Sequence, residues 1–284
     1  MTGTGKFDDS WFKCPELFVP RWLIAFAIEG RRLSRLAEMQ IEVLQLLARW
    51  HSAEEDSSVQ ILSIEITDEE TSRGEVQSFQ IGISILDTIR LGEALAKPPE
   101  PNVNVAGDVV KSYHWVVGDQ KYCGEFEKKF RYGMMRYLPI GNFDEEIVKI
   151  IRNKNFVLIT HGPDKSLAFL KCFGVHLEPI QTIDIEQVAQ KVLHVSPGQG
   201  VKRDEFVQEM GFNCTDPQIA GNAAHLTLRI LLMLLHKDMD RQPRRDGVPM
   251  DQWSLLLKRI VGSKFKKKLV QLKNSPIESS ETSE

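Results

Sequence analysis

The chain has 284 residues, of which 42% are hydrophobic and 26% are charged, and its formal net charge is −3. This length accommodates one large domain or two small ones. The charge balance excludes a general positive field that would attract nucleic acid, although a local basic patch is compatible with it.

The cysteine pattern and the lack of long apolar runs indicate where the protein resides. The four cysteines are far apart and form no Cys-x-x-Cys pair: Cys14, Cys123, Cys172 and Cys214. This pattern favours free thiols in a reducing compartment. The first ten residues do not have the pattern of a signal peptide, and no apolar run reaches the roughly 20 residues that a membrane span needs. We therefore expect an intracellular protein, cytoplasmic or nuclear, without membrane contact.

Residues 1–52 are predicted to form an N-terminal helical extension. Between Leu33 and Trp50 apolar side chains recur with a helical period and form a broad apolar face. Two interpretations of this helix stay open. It packs on its own domain, or it docks on a partner protein.

Residues 53–240 begin with segments typical of strands. Val59–Ile66 is rich in β-branched residues and is predicted to pair with Phe79–Leu86. The polar, glycine-containing stretch Thr67–Gly74 between them is predicted to be the hairpin connection. The proline-rich stretch Lys97–Asp108 predicts an exposed loop, and Val109–Val117 predicts a third strand.

Strands and helices then alternate, which predicts an α/β domain with a mixed sheet. The predicted strands are Phe156–Thr160 and Ile180–Ile185. The predicted helices are Asn142–Ile151, a helix from Asp164 that Gly174 ends, a helix through Val192, Arg203–Met210 and Ile219–Leu235.

Residues 241–273 are predicted to form a C-terminal basic helical segment, amphipathic from Trp253 to Leu272. Its cations are candidates for contact with the phosphates of a nucleic acid, although a merely solvated helix face has the same pattern. These candidates are Lys258, Arg259, Lys264, Lys266, Lys267 and Lys268. The Ser/Glu-rich residues 274–284 are predicted to be a disordered tail.

Two short motifs and the order of the segments resemble a known family. Residues 218–228 read Gln-Ile-Ala-Gly-Asn-Ala-Ala-His-Leu-Thr-Leu, and Phe130–Gly133 reads Phe-Arg-Tyr-Gly before a predicted helix. From Val59 to His236 the chain resembles the DEDD (DnaQ-like) 3′–5′ exonuclease superfamily, and most of all its fungal exonuclease-like branch. The resemblance implies a ribonuclease H-like fold: an α/β mixed sheet flanked by helices, here with N- and C-terminal helical extensions.

The resemblance also implies where an active site would lie. In that family four acidic groups hold two divalent metals that clamp the phosphodiester, and a histidine activates the attacking water. The acid-x-acid motif falls on Ser63 and Glu65, so only Glu65 is acidic. In the second motif the histidine, His161, is present and the acid is replaced by Ser166. The third motif falls on Gln218 and Ala223, so both its base and its acid are absent.

Nearby acids offer little replacement. Asp68, Glu69 and Glu70 are predicted to lie in the hairpin turn, and Asp164 is predicted to be a helix-terminal acid. Asp184 ends a strand and is predicted to cap the following helix. A zinc site is also disfavoured, because the spacing of the cysteines and histidines matches no zinc finger. The sequence therefore predicts a degenerate site without a resident metal or other cofactor.

We conclude from the sequence that this is a pseudo-nuclease domain that acts as a protein- or RNA-binding scaffold. The main alternative is an active metal-dependent 3′–5′ exonuclease with a rearranged site, which would require Mg²⁺ or Mn²⁺. A third interpretation is a structural partner protein that docks through the Leu33–Trp50 helix and does not contact nucleic acid. Protein partners are expected, and single-stranded nucleic acid is a further candidate ligand.

Overall fold

A computed structural model describes most of the middle of the chain. The described residues are 60–96, 100, 105–120, 123–151, 155–162, 165–194, 203–209, 211, 216–241 and 250–263. The predictions for the N-terminal helix, the disordered tail, Asp164 and the lysines at positions 264–268 lie outside these residues.

One six-stranded mixed sheet organises the fold, with the strand order β4-β3-β2-β1-β5-β6. β1, β2 and β3 form an antiparallel meander, while β5 and β6 run parallel to β1 and β4 runs parallel to β3. The strands are β1 Gln60–Ser72, β2 Glu75–Asp87, β3 Val110–Val117, β4 Gly133–Leu138, β5 Phe156–Thr160 and β6 Gln181–Asp184.

Helices cover both faces of this sheet. The shorter ones are α1 Thr88–Ala96, α2 Val105–Val109, α3 Cys123–Lys129, α4 Phe143–Ile151, α5 Ser166–Cys172, α6 Ile185–Val192 and α7 Arg203–Glu209. The two longer ones are α8 Ala220–Arg241 and α9 Met250–Gly262. A 3-10 turn, Ile140–Asn142, precedes α4. The arrangement is the predicted α/β ribonuclease H-like fold.

Two hydrophobic cores lie on opposite faces of the sheet, because side chains alternate along each strand. Ile61 of β1 joins the core beneath α6, α7, α8 and α9. Leu62 and Ile64 join the core beneath α4 and α5. Helix α8 is buried on all sides from Ala220 to Leu234, so most of its residues there are apolar and the few polar ones lie inside the protein. Within the described residues, no helix is both long and apolar enough to cross a membrane.

The predicted hairpin connection was wrong in extent. The turn is only Arg73 and Gly74, both at positive φ (54° and 83°), which is the geometry of a tight two-residue hairpin. Thr67 to Ser72 belong to β1 and pair with β2 through a bulge. Most of these residues are exposed, because this end of the ribbon extends beyond the covering helices. Because they are exposed, these residues are mostly polar, and their composition resembles that of a turn.

Two further predictions were wrong. The segment predicted as an exposed loop from Lys97 to Asp108 includes the start of α2, where Val105 and Ala106 are buried. Phe130–Gly133 precedes a strand, β4, instead of a helix. β4 is an edge strand, and its half-exposed residues alternate in exposure, so a sequence pattern of weak hydrophobicity concealed it. Helices α1 and α3 were not predicted. The other predicted strands, and the predicted helices that correspond to α4 to α8, lie within about six residues of their observed ends.

Candidate functional site

The central strand β1 places Ser63 and Glu65 on the same face of the sheet as Ile61, since residues two apart point to the same side. This is the face that α8 covers. Ser63 is fully buried, and its hydroxyl has no hydrogen-bond partner among the described residues. Glu65 is partly exposed, with 22% of its side chain accessible. The site predicted from sequence therefore lies between β1 and the start of α8.

A glycine explains how closely α8 approaches this site. Gly82 of β2 lies directly opposite Glu65 in the strand register. A methyl group at Gly82 would clash with the backbone carbonyl of Ala220 in the first turn of α8. The backbone of α8 can therefore rest on the sheet beside Glu65 only because residue 82 has no side chain.

Glu65 is bound by two side chains to which the motif alignment assigns no role. Arg203, the first residue of α7, lies with a guanidinium nitrogen 2.5 Å from Glu65 Oε1. The Thr227 hydroxyl of α8 lies 3.2 Å from the same oxygen and 3.1 Å from the carbonyl of Ala223, and donates to both. The one acidic side chain at the motif positions is thus part of an ion pair with an arginine.

Two of the motif positions at which the family has an acid, Ser166 and Ala223, hold uncharged side chains. The Ser166 hydroxyl, at the start of α5, donates a hydrogen bond of 3.1 Å to the Ile64 carbonyl and so ties α5 to β1. Ala223 is buried one helical turn before Thr227. Ser166 and Thr227 thus connect α5 and α8 to the part of β1 that holds Ser63 and Glu65.

The two remaining motif positions do not join this group through any hydrogen bond that we observe in the described residues. Gln218 is exposed in the turn before α8. His161 follows β5, where its Nε2 lies 3.4 Å from the Glu186 carboxylate and its ring centroid lies 6.4 Å from that of Phe206. Glu186 was not anticipated from the sequence. Its position in the first turn of α6 offered the only signal, since acids favour that place for helix stability alone.

Three of the nearby acids have structural partners. Asp184 caps α6 by accepting from the Glu186 amide at 3.0 Å, as predicted, and also accepts from the Gly162 amide at 3.0 Å. Asp68 accepts a hydrogen bond from Gln80, and Glu70 accepts one of 2.9 Å from Ser78. Among the residues that the structure describes, no three His, Cys, Asp or Glu side chains are grouped closely enough to hold a metal ion.

A second set of residues in the same motif anchors α8 to the sheet and to the loop before β4. Asn222 is fully buried, donates to the carbonyls of Lys129 and Asp216 at 3.2 Å and 3.0 Å, and accepts from the Arg131 amide at 3.2 Å. The Gly221 amide donates to His114 Nδ1 at 3.2 Å. Gly221 itself lies so close to His114 that a side chain at this position would clash with it.

Buried histidines flank this anchor. Burial lowers the pKa of His114 to about 4, so its ring is neutral at physiological pH and Nδ1 can accept the Gly221 hydrogen bond. Burial, with the charge of Arg229 as a smaller cause, lowers the pKa of His225 well below its usual value. The His225 ring stacks on Tyr132 at 3.9 Å and shares a hydrogen bond of 2.9 Å with Ser112. These histidines are built to stay uncharged.

Of the basic residues predicted to contact nucleic acid, two are described. Lys258 is exposed on α9. Arg259, on the same helix, donates to the carbonyl of Glu100 at 2.8 Å. The remaining four, Lys264, Lys266, Lys267 and Lys268, lie outside the described residues.

Sequence reasoning missed Arg203 and Thr227. Thr227 could have been found, because it lies four residues after Ala223 and so shares its helix face. Arg203 gave no local signal, since it is 138 residues from Glu65 in the chain.

Comparison with known proteins supports membership of a family. The model of the family described as DNA polymerase III subunit epsilon-like, C-terminal domain, matches residues 61–234, which is more than half of the chain. The matched range runs from β1 to the buried half of α8. No curated protein matches the chain.

Proposed function

The chain belongs to the DNA polymerase III epsilon-like family of DEDDh exonuclease domains, and we propose that it is a pseudo-nuclease, which keeps the family's fold as a binding scaffold without its chemistry. The single observation that carries this proposal is the Arg203–Glu65 ion pair. It neutralises the one carboxylate that remains at the motif positions.

The reaction of this family makes specific demands on its side chains. Two divalent ions must be held by several carboxylate oxygens, and a base must take a proton from the attacking water. The residues present do not fit such a pair of ions. Ser63, Ser166 and Ala223 supply no negative charge, and Gln218 cannot act as a base at neutral pH. We therefore derive no catalytic step for this chain and propose no resident cofactor.

The proposed ligand of the scaffold is a protein, RNA or both. The C-terminal basic residues supply the argument for RNA, because each lysine that contacts a phosphate releases a counterion and so gains affinity at low salt. Lys258 is exposed and open to such a contact. We also propose an intracellular location, cytoplasmic or nuclear, on the grounds that Cys123 and Cys172 are free thiols.

The test of the pseudo-nuclease proposal combines calorimetric titration of Mn²⁺ into the full-length chain with trimming assays on labelled single-stranded RNA and DNA. We expect no heat of metal binding and no trimming. Mn²⁺-dependent trimming that Glu65→Ala abolishes would contradict the proposal and establish the active-exonuclease alternative. The Glu65→Ala control excludes a contaminating nuclease, whose activity this substitution would not change.

The RNA arm has its own test. A variant with Lys264, Lys266, Lys267 and Lys268 changed to Gln should bind single-stranded RNA more weakly at low salt. The slope of log K against log[salt] should become shallower by roughly 3 if all four lysines contact phosphates. An unchanged slope, or no RNA binding by either protein, would leave protein binding as the scaffold's role.

A further inference from the structure

We infer that Arg203 is an internal cation that takes the place of a divalent metal at Glu65, so that the site would exclude metal even if its lost acids were restored. This inference deepens the proposed function and rests on it. The proposed function attributes the absence of metal binding to the lost acids. This inference adds that Arg203, which lies outside the family motifs, also excludes the metal.

The environment of the ion pair gives it strength. Both side chains are only about one-fifth exposed, 21% for Arg203 and 22% for Glu65. Charges held apart from bulk water attract each other more strongly than surface charges do. Thr227 adds a neutral hydrogen bond to the same carboxylate oxygen. Together these contacts leave Glu65 Oε1 engaged, and a metal ion would have to displace the guanidinium to reach it.

Packing holds the guanidinium in place. Arg203 begins α7, and Phe206 and Val207 in the next turn are buried in the core beneath α8. Phe206 lies against the ring of His161, the surviving histidine of the second motif. The packing of Phe206 thus fixes the start of α7 close to β1, within reach of Glu65 for the Arg203 side chain.

The local helix does not explain a cation at this position. Positive side chains are favoured at the C-terminal end of a helix and gain nothing from the helix dipole at the N-terminal end. Arg203 occupies the first position of α7. The attraction that stabilises it there must come from elsewhere, and Glu65 is the carboxylate that it contacts.

A single carboxylate is a better partner for a guanidinium than for a divalent metal ion. One carboxylate binds a divalent ion poorly, since Mg²⁺ and Mn²⁺ need several oxygen ligands. One carboxylate is a full partner for a guanidinium, whose charge is single and whose planar group donates several hydrogen bonds. The Arg203 Nε–H is buried and has no partner among the described residues. An acid restored at Ser63, two residues along the same face of β1 and about 7 Å from Glu65, would meet the same guanidinium.

The test compares Mn²⁺ binding in four proteins by calorimetry: the natural chain, the acid-restored variant S63D/S166D/A223D, the same variant with R203Q, and the same variant with R136Q. R136Q is a matched control, because it breaks the exposed 2.6 Å ion pair between Arg136 and Glu146. We expect no measurable binding by the natural chain, by the acid-restored variant or by that variant with R136Q. R203Q in the acid-restored variant should bring Mn²⁺ binding into the measurable range, at least tenfold tighter than the detection limit for the other three proteins.

The outcomes separate this inference from the proposed function. Mn²⁺ binding by the natural chain would sink the proposed function. Binding by the acid-restored variant that R203Q does not improve would overturn the role of Arg203 and leave the proposed function standing. Absence of binding in the R203Q variant would also overturn it, provided that circular dichroism and the melting temperature show a folded protein.

A second measurement keeps the inference testable if the acid-restored variants fail to fold. Thermal unfolding of E65Q, R203Q and E65Q/R203Q in the natural background gives the coupling between the two side chains. We expect each single change to lower Tm by about 5 °C. The double change should lower it no further than the worse single change. Additive losses would mean that the two charges do not depend on each other, and the inference would fail.

Discussion

Two sets of positions within residues 218–225 play different roles in this protein. The packing positions, Gly221 and Asn222, make the close contacts and hydrogen bonds that hold α8 on the sheet. The chemical positions, Gln218 and Ala223, hold an exposed amide and a methyl group. The residues that seat α8 on the sheet are thus different from those that the motif alignment predicts to hold the metal ligand and the base. Under the proposed function, the fold is kept without the chemistry.

The contacts that hold α8 on the sheet should be more sensitive to change than the chemical positions. Among these contacts, the one at Gly82 of β2 should matter most, so Gly82→Ala should have the largest effect. Its new methyl group would clash with the Ala220 carbonyl and force α8 off the sheet. We expect a loss of about 4 kcal/mol in the free energy of unfolding, measured by urea denaturation. Gly92→Ala in α1 is the matched control, because nothing lies within 4 Å of its added methyl group. The control should be neutral or slightly stabilising. Equal effects of the two changes would refute the close approach.

The next largest effect should come from acid, which lowers the free energy of unfolding through His114, the residue that accepts the Gly221 hydrogen bond. Its pKa is lowered to about 4 in the folded protein, below the usual 6.5, so the unfolded chain binds the extra proton first. This contribution to stability is present above pH 6.5 and is lost as the pH falls towards 4. The loss amounts to roughly 3 kcal/mol by pH 4.

The matched variant for this effect is His114→Asn, which keeps an acceptor for the Gly221 amide and cannot titrate. Its free energy of unfolding should fall less than that of the natural chain between pH 7 and pH 4, by the same roughly 3 kcal/mol. Parallel pH profiles of the two proteins would show that His114 does not titrate in this way.

Asn222→Ala tests the hydrogen bonds of the packing positions. The change removes two donors and one acceptor at a fully buried site and leaves the carbonyls of Lys129 and Asp216 and the Arg131 amide without this partner. We expect a loss of about 2 kcal/mol in urea denaturation. A loss below 0.5 kcal/mol would indicate that water replaces the side chain at little cost.

The smallest effect should come from a chemical position. Gln218→His restores the base of the family motif at an exposed site. We expect a change in stability within about 0.5 kcal/mol and no trimming of single-stranded RNA, since a base has no function without a held metal. Appearance of trimming after this single change would show that a metal site already exists and would reverse the contrast between the two sets of positions.

Local patterns determined most of the fold. The β-branched runs predicted β1, β2, β3, β5 and β6. The signal was clearest for β5, which is buried along its whole length, because a strand that is buried on both faces must be apolar throughout. The hairpin end of β1 and the edge strand β4 escaped prediction for the opposite reason. Both are partly or wholly exposed. Exposed positions in a strand need not be apolar, so these two segments lack the apolar run by which the other strands were predicted.

For the site, the sequence by itself predicted which motif positions lack an acid, because Ser63, Ser166 and Ala223 are read at motif spacing. Only the tertiary structure decided what happens to the acid that remains. Arg203 reaches Glu65 from 138 residues away, after α7 packs through Phe206 against the sheet. No local pattern encodes that meeting, since ion pairs between distant segments depend on the order of strands and on the packing of helices over them.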